Sequence, residues 1–400
     1  MSSTSERKGL SRALVALEEA LRGLPQGPVG IAFSGGPDSL ALALLLAEGD
    51  ELRRTEGVAG DSVPDREVLL LNVEHNLRGP EAAAAEASHL KAQAEELGLR
   101  LRRRRLEVGA VEALARKREL GIEAAARELR YEALASLCEE LGLVALITGH
   151  HRDDQLETFL LELIHAAPES ALGGMKPRRE LSLPSGGSVP LLRPLLSLSR
   201  EEAEGVVAAS GMDPLTDESN RDLRYERNFL RHRVIPSLRE GRRNAEEGLL
   251  RSASRLREVA RWIDREARQI HFREVPGALV TDAERFFLAT PAVRAAALER
   301  EGHRRGIAFP GRSRRFFEPL LQEPAASELL DRRVSRVLLE GGSHRCTLHR
   351  GRLIWQTDIG PSRDFGYLHV VERHTLEIRW MGGVWPMEIG CEGRRCTLVS

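Results

Sequence analysis

Ser34-Gly35-Gly36-Pro37-Asp38-Ser39 decides how this 400-residue chain is read. The hexamer follows an apolar β-type run, Pro28 to Phe33, and opens an apolar helical run, Ser39 to Glu48. Two glycines let backbone N–H groups come close to a polyphosphate. The helix start adds free amide donors and the positive end of the helix dipole. The hydroxyls of Ser34 and Ser39 can reach the same oxygens. No G-x-x-x-x-G-K-[ST] pattern is present, so this is not a Walker loop. With no lysine to work on a transferring γ-phosphate, the stretch fits chemistry at the α-phosphate, pyrophosphate leaving. The plainer reading is a turn in which Asp38 or Ser39 caps a helix.

Outward from the hexamer, β-type runs alternate with helical ones. Strands are expected at Glu67 to Val73, Leu99 to Val108 and Leu143 to Thr148. Helices are expected at Glu81 to Leu97, Glu123 to Leu141 and Asp153 to Ile164. This alternation predicts an α/β fold with a parallel sheet covered on both faces. Ligands in such sheets bind at the carboxyl ends of the strands. Residues 168–198 are rich in Pro, Gly and Ser and read as a long connection. Residues 199–325 read as mainly helical, and short β-type runs such as His344 to His349 and Arg352 to Gln356 follow. The expected parts are a nucleotide-binding domain over 1–215, a helical domain over 216–327 and a small β-rich or mixed region over 328–400.

Four further segments carry chemistry. Val73-Glu74-His75-Asn76-Leu77-Arg78-Gly79 ends the second strand and brings His75 and Arg78 to the sheet's carboxyl edge. Gly149-His150-His151-Arg152-Asp153-Asp154-Gln155-Leu156-Glu157-Thr158 follows the fourth strand. Asp154 and Glu157, three apart, share a helix face and can meet Mg²⁺ or an amine. The same residues also read as helix-start charges favoured by the dipole, or as a zinc site of His150, His151 and Asp154. In Glu123-Ala124-Ala125-Ala126-Arg127-Glu128-Leu129-Arg130-Tyr131, Arg127 and Arg130 lie on one face, for phosphate or for ion pairs within a solvated helix. Residues 221–243 hold eight arginines against three acids, a local charge of +5. With Tyr225, Asn228 and His232, that patch suits RNA, or it serves as a structural connector.

Composition narrows the class. There are 59 basic and 60 acidic side chains, a net charge of −1, so bulk charge does not announce nucleic-acid binding. Only four residues are lysine, and arginine's planar fork suits phosphate. The four cysteines form no CxxC pair and no zinc spacing. No run of about 18 apolar residues occurs, and the polar start, Met1 to Leu10, lacks a signal region. A reduced, cytoplasmic protein without membrane contact or structural metal is expected.

The hexamer resembles the SGGxDS signature of the PP-loop ATP pyrophosphatases. Within that superfamily the other segments resemble the tRNA(Ile)-lysidine synthetases: VDHxLR at residues 73–78, HHxDDQxET at 150–158, and EAARxxRY at 123–131. So do Arg193-Pro194-Leu195-Leu196 with Arg200-Glu201-Glu202, Asp217-Glu218-Ser219-Asn220, and Tyr225 to Pro236. The resemblance covers about residues 28–240. It implies a Rossmann-like, HUP-type catalytic domain that binds ATP over Ser34, Gly35, Gly36, Pro37, Asp38 and Ser39, and a helical domain that binds tRNA. It implies adenylation of the wobble cytidine of an isoleucine tRNA with a CAU anticodon, followed by attack of L-lysine. On this reading Asp38, His150, Asp154 and Glu157 are catalytic, and Mg²⁺ sits at Asp38 and Asp154. His75, Arg78, His151 and Asp153 line the lysine or nucleotide pocket, and Arg127, Arg130, Arg227 and Arg231 meet tRNA. Glu74 stands where the family has Asp, and His165 to Met175 lacks the family's glycines near 166. Those departures leave room for a non-catalytic tRNA-binding protein. Another PP-loop tRNA-modifying enzyme is the nearer alternative, although the paired CxxC motifs of the 2-thiocytidine enzymes are absent, and position 2 is Ser2 where amidotransferase relatives need Cys.

Overall fold

The computed structural model describes residues 4–49, 51, 54, 66–76, 79–118, 121–167, 169, 172–215, 222–242, 244–275, 277–305, 318–320, 322, 335–341, 344–356, 369–371, 375–380, 383–392 and 395–398. Arg78 and the 217–220 segment lie outside the described residues. The chain divides into two compact units, one of Met1–Ala167 with Ala171–Arg257, the other of Pro168–Ser170 with Glu258–Ser400. No helix among the described residues is long and apolar enough to cross a membrane.

The first unit is built on six strands: β1 (Val29–Ala32), β2 (Val68–Glu74), β3 (Arg100–Arg105), β4 (Ala145–Ile147), β5 (Arg178–Ser182) and β6 (Ser188–Leu192). Their order is β3-β2-β1-β4-β6-β5. The neighbours from β3 to β6 pair in parallel, and β5 closes the edge antiparallel to β6. β1 pairs with β2 on one side and β4 on the other, so the strand order reverses between β1 and β4. A crevice opens at the carboxyl ends of such a pair.

The strands are short apolar runs because both faces are covered. On one face Ile31, Leu70 and Ile147 pack with the helices Thr4–Leu21, Pro37–Ala47 and Arg200–Ser210. On the other, Leu69, Leu71, Leu146 and Leu191 pack against Leu134, Leu137 and Cys138 of the helix Ile122–Glu140. One expectation needs correcting. Residues 168–198 are more than a connection, because they contain the β5–β6 hairpin. Only Leu181, Val189, Leu191 and Leu192 of that hairpin are buried, so its apolar content is too low to stand out among Pro, Gly and Ser. The described part of 199–325 is mainly helical, with β7 (Arg273–Val275) and β8 (Ala278–Asp282) set among the helices.

β7 and β8 belong to the second unit. They join β9 (Ser335–Gly341), β10 (His344–His349) and β11 (Arg352–Gln356) in an antiparallel sheet ordered β7-β8-β11-β10-β9. Trp355, Phe286, Phe287, Leu348 and Leu353 form its core, with edge-on aromatic pairs such as Phe272 with Trp355. A further sheet follows, β12 (His369–Val371), β13 (Thr375–Trp380), β14 (Gly383–Glu392) and β15 (Arg395–Leu398), in sequential antiparallel order.

Candidate active site

The phosphate-type loop joins β1 to the helix Pro37–Ala47. Gly35 takes a left-handed φ of +74°, and a Cβ there would run into the side chains of Leu90 and Gln93. Only glycine suits that position. Gln93, buried on the helix Pro80–Glu96, donates to the carbonyls of Gly35 (3.1 Å) and Asp213 (2.8 Å). Leu215 donates its N–H to the Gly35 carbonyl at 2.9 Å. Ser39 Oγ closes the turn, donating to the Gly36 carbonyl at 3.1 Å and lying 3.2 Å from Ser34 Oγ. Gly36 is the N-cap and has no side chain to cap with, and Pro37 starts the helix. The first-turn amides are therefore left for an anion.

At the end of β4 the backbone of Gly149 lies against this helix, and a Cβ there would strike the Asp38 carbonyl. That close approach puts the two motifs into one site. His151 caps the helix Arg152–Ile164: its Nδ1 accepts the N–H groups of Asp153 (3.2 Å) and Asp154 (3.4 Å), and Asp154 Oδ2 accepts the His151 N–H at 3.0 Å. With Nδ1 an acceptor, the ring proton of the neutral imidazole sits on Nε2. Nε2 lies 3.4 Å from Asp38 Oδ1 and 3.5 Å from Asp154 Oδ2. Burial works against charging this imidazole, but Asp38, Asp154 and Asp153 outweigh it and hold its pKa above the ordinary value. Asp38 Oδ1 and His151 Nε2 are both buried, and neither completes a hydrogen bond.

Glu157, fully buried, is gripped by Arg231 through two hydrogen bonds of 2.6 and 3.0 Å, and Arg227 Nε lies 3.2 Å from the same carboxylate. Arg231 also reaches Asp154 Oδ1 at 3.3 Å, and Arg227 donates to Thr158 Oγ1 at 2.9 Å. Burial raises the Glu157 pKa despite Arg231 and Arg227, with Asp154 adding to the rise. Residues expected to play separate parts, carboxylates for the amine and arginines for tRNA, thus form one ion-pair network. Arg231 stands in a π-helical turn, Leu230–Val234, between the α-helical pieces Glu226–Phe229 and Ile235–Gly241. Pro236 has no N–H to give the His232 carbonyl, and the helix widens there.

The other expected residues are distributed along the same edge. Asp153 accepts from the Arg200 N–H (2.9 Å) and Arg239 (3.0 Å), which ties helices together. His150 Nδ1 sits 2.7 Å from Thr148 Oγ1. Desolvation pushes its imidazole down to about 3, against Asp154 and with help from Arg193, Arg127 and Arg130, so it works as a neutral ring. Burial and Arg130 likewise lower His75. Glu74 faces β3, where Arg103 (3.3 Å) and Arg105 (2.9 Å) pair with it, and Asn72 bridges Arg103 to the Phe33 carbonyl. The Arg-rich strand β3 is held by that pairing. Downstream of the altered 165–171 loop, Gln155 accepts the Met175 N–H, and Glu162 accepts those of Gly173 and Gly174. Sequence reasoning passed over Gln93, Asn72, Gln155 and Arg193 as site residues, because their partners are distant backbone groups.

Among the described residues no three His, Cys, Asp or Glu side chains are grouped to hold a metal. Mg²⁺ with a nucleotide needs only one or two carboxylates, phosphate oxygens and water completing its shell. The unpartnered Asp38 Oδ1 fits that need.

The family model of the PP-loop domain matches residues 10–238. A tRNA(Ile)-lysidine synthase of Salinispora arenicola (strain CNS-205) is 40% identical over 233 residues, 58% of this chain and 61% of that protein. That of Salinispora tropica is 41% identical over 225 residues, 56% of this chain and 60% of that protein. The chain therefore spans about three fifths of the length of these two relatives. That of Burkholderia mallei is 32% identical over 367 residues, 91% of this chain and 69% of that protein. Joined to a switch-point crevice that carries a glycine loop and the His-His-x-Asp-Asp helix start, these matches establish that the chain belongs to the tRNA(Ile)-lysidine synthase family of PP-loop proteins.

Proposed function

We propose that this chain uses ATP to join L-lysine to the wobble cytidine of an isoleucine tRNA with a CAU anticodon. The observation that carries the proposal is the crevice between β1 and β4. An amide-lined loop without lysine, carrying Asp38 at its helix start, meets His151 and Asp154 across the Gly149 contact. The N-terminal amides of the helix Pro37–Ala47 hold the β- and γ-phosphates. The cytidine C2 oxygen attacks the α-phosphorus, the bond to the bridging oxygen breaks, and pyrophosphate leaves from the loop. The lysine amine then attacks C2, loses a proton and displaces AMP. Asp38 and Asp154 would hold Mg²⁺, which supplies positive charge to the departing pyrophosphate.

The chain's own groups divide the remaining work. His150, neutral and beside Thr148, orients the nucleotide without adding charge. Asp154 meets the incoming amine, and the Arg231 and Arg227 grip on Glu157 fixes the helix face that carries it. Residues 1–215 serve as the catalytic part and 216–327 as the part that holds tRNA, in the cytoplasm. The intact loop and the anchored Gly173–Met175 end support an active enzyme over a non-catalytic binder.

The test is incubation of the purified chain with ATP, labelled lysine and an unmodified CAU transcript. Lysine label is expected on the tRNA, dependent on ATP. ATP–pyrophosphate exchange dependent on tRNA separates adenylation from lysine transfer. Exchange without lysine transfer leaves only the PP-loop class standing, and neither signal points to the binding protein.

A further inference from the structure

A cavity lies on the opposite face of the sheet from the phosphate loop's helix. It has a volume of about 590 Å³ and is lined by the helix Ile122–Glu140, the stretch from Met175 to Ser182, and Arg193. Tyr131 is its hub. The guanidinium carbons of Arg179, Arg127 and Arg130 stand 4.6, 5.3 and 5.6 Å from the centre of its ring. Arg193, only 5% exposed, donates Nη1 to the Lys176 carbonyl at 2.7 Å and leaves Nε without a hydrogen-bond partner. None of these four arginines forms an ion pair with a described residue. The contrast with Arg227 and Arg231, both held on Glu157, is sharp.

Guanidinium groups gathered around one ring repel each other, and the ring faces offset only part of that cost. The electrostatics records the excess. Burial would raise the Tyr131 phenol, yet Arg127, Arg130, Arg193 and Arg179 hold it below its ordinary value. Burial and the neighbouring arginines lower Arg127 itself. Glu128, Glu132 and Glu180 also line the cavity, but Glu128 pairs with Arg118, and Glu180 pairs with Arg178 and accepts from Ser188, so the half-buried guanidinium cluster is stabilised when an anion with several acceptor oxygens enters it. The loop over Ser34 to Ser39 already provides for the nucleotide triphosphate on the other face. The reaction has a second polyanionic reactant, the RNA strand.

Resting on the function proposed above, we infer that the Tyr131 cavity is a phosphate subsite for the RNA substrate, with Arg127, Arg179 and Arg193 contacting a backbone phosphate next to the reacting nucleotide. Arg193 follows Leu192, whose carbonyl accepts the Thr148 N–H at 3.0 Å, and Thr148 Oγ1 lies 2.7 Å from His150 Nδ1, so the cavity adjoins the β4 end of the crevice. The phosphate bound here fixes where the strand enters, and the loop fixes ATP.

Arg179 is exposed, so Arg179→Gln removes charge without opening the core. The test measures the affinity of the full chain for the unmodified CAU transcript across a salt series. ATP affinity is measured with a fluorescent analogue, and KM for lysine by label incorporation. Arg179→Gln is expected to weaken tRNA binding several-fold and to reduce the log–log salt slope by roughly 0.7 to 0.9, the share of one phosphate. Affinity for the ATP analogue and KM for lysine should stay at parent values. Arg179→Lys should restore part of the affinity, since charge without the planar fork still meets a phosphate. Unchanged tRNA affinity and slope in Arg179→Gln overturns the inference while leaving the function standing. A rise confined to lysine KM assigns the cavity to the amino acid's carboxylate, and a loss of analogue binding assigns it to the nucleotide. Both outcomes overturn the RNA subsite. If the parent chain binds no tRNA at all, the functional reading falls first.

Discussion

At the scale of single residues, charge in the site is arranged by burial and partnership more than by count. Asp38 and Glu157 show the contrast. The Asp38 carboxylate keeps a buried oxygen without a hydrogen bond, at the start of a helix whose amides face the crevice. Asp38→Ala is therefore expected to fold as the parent does and to lose about 100-fold or more in lysine incorporation, the size seen when one group stabilising a transition state is removed. Thermal melting and label transfer check the two halves, and parent-like turnover in a folded variant removes Asp38 from catalysis. Glu157 is already satisfied by Arg231 and Arg227. Arg231→Ala leaves that fully buried carboxylate with a single partner, and should cost about 3 kcal/mol of stability. Urea unfolding measures it. A loss of tRNA affinity at unchanged stability would instead return Arg231 to the RNA surface.

At the scale of elements, the site depends on how closely two strand ends can be brought together. β1 and β4 are neighbours, and Gly149 lets the β4 end rest on the first turn of the helix Pro37–Ala47. Gly149→Ala has no left-handed backbone angle to strain, but its methyl group has nowhere to go. It should destabilise the chain by roughly 1–3 kcal/mol, as an overpacked core does. It should also lower turnover more than tRNA affinity, because it moves Asp38 relative to His151. Equal stability and turnover in the variant would mean that the two elements have slack between them. The helix Arg152–Ile164 shows the same economy of placement: its cap His151, its capping-box partner Asp154 and its buried Glu157 all serve one edge.

At the scale of the molecule, a net charge of −1 coexists with a local excess of arginine over residues 221–243. Three of those arginines, Arg227, Arg231 and Arg239, are engaged on Glu157 and Asp153. Arg233 and Arg242 are exposed and make no ion pair with a described residue, so they are the better candidates for meeting phosphate. The double variant Arg233→Ala with Arg242→Ala should flatten the salt dependence of tRNA binding by about 0.7 to 0.9 for each phosphate no longer neutralised, with melting temperature unchanged. A slope equal to the parent's would mean that the RNA does not cross this segment.

What the sequence by itself determined is everything local. Strand–loop–helix order and a helix opening at the glycine-rich hexamer follow from neighbours in the chain. The PP-loop sheet and its main strands were legible for that reason. The helix Thr4–Leu21 was not among the expected elements, although Leu10, Leu14, Leu17 and Leu21, all buried, stand at helical spacing. The tertiary structure alone decided which distant groups meet. It set Arg231 on Glu157, 74 residues away, Gln93 on the Gly35 carbonyl, 58 residues away, and Arg179 over Tyr131. An arginine's partner depends on which carboxylate or ring the packing brings within reach. Residue type and spacing carry no record of that across a sheet.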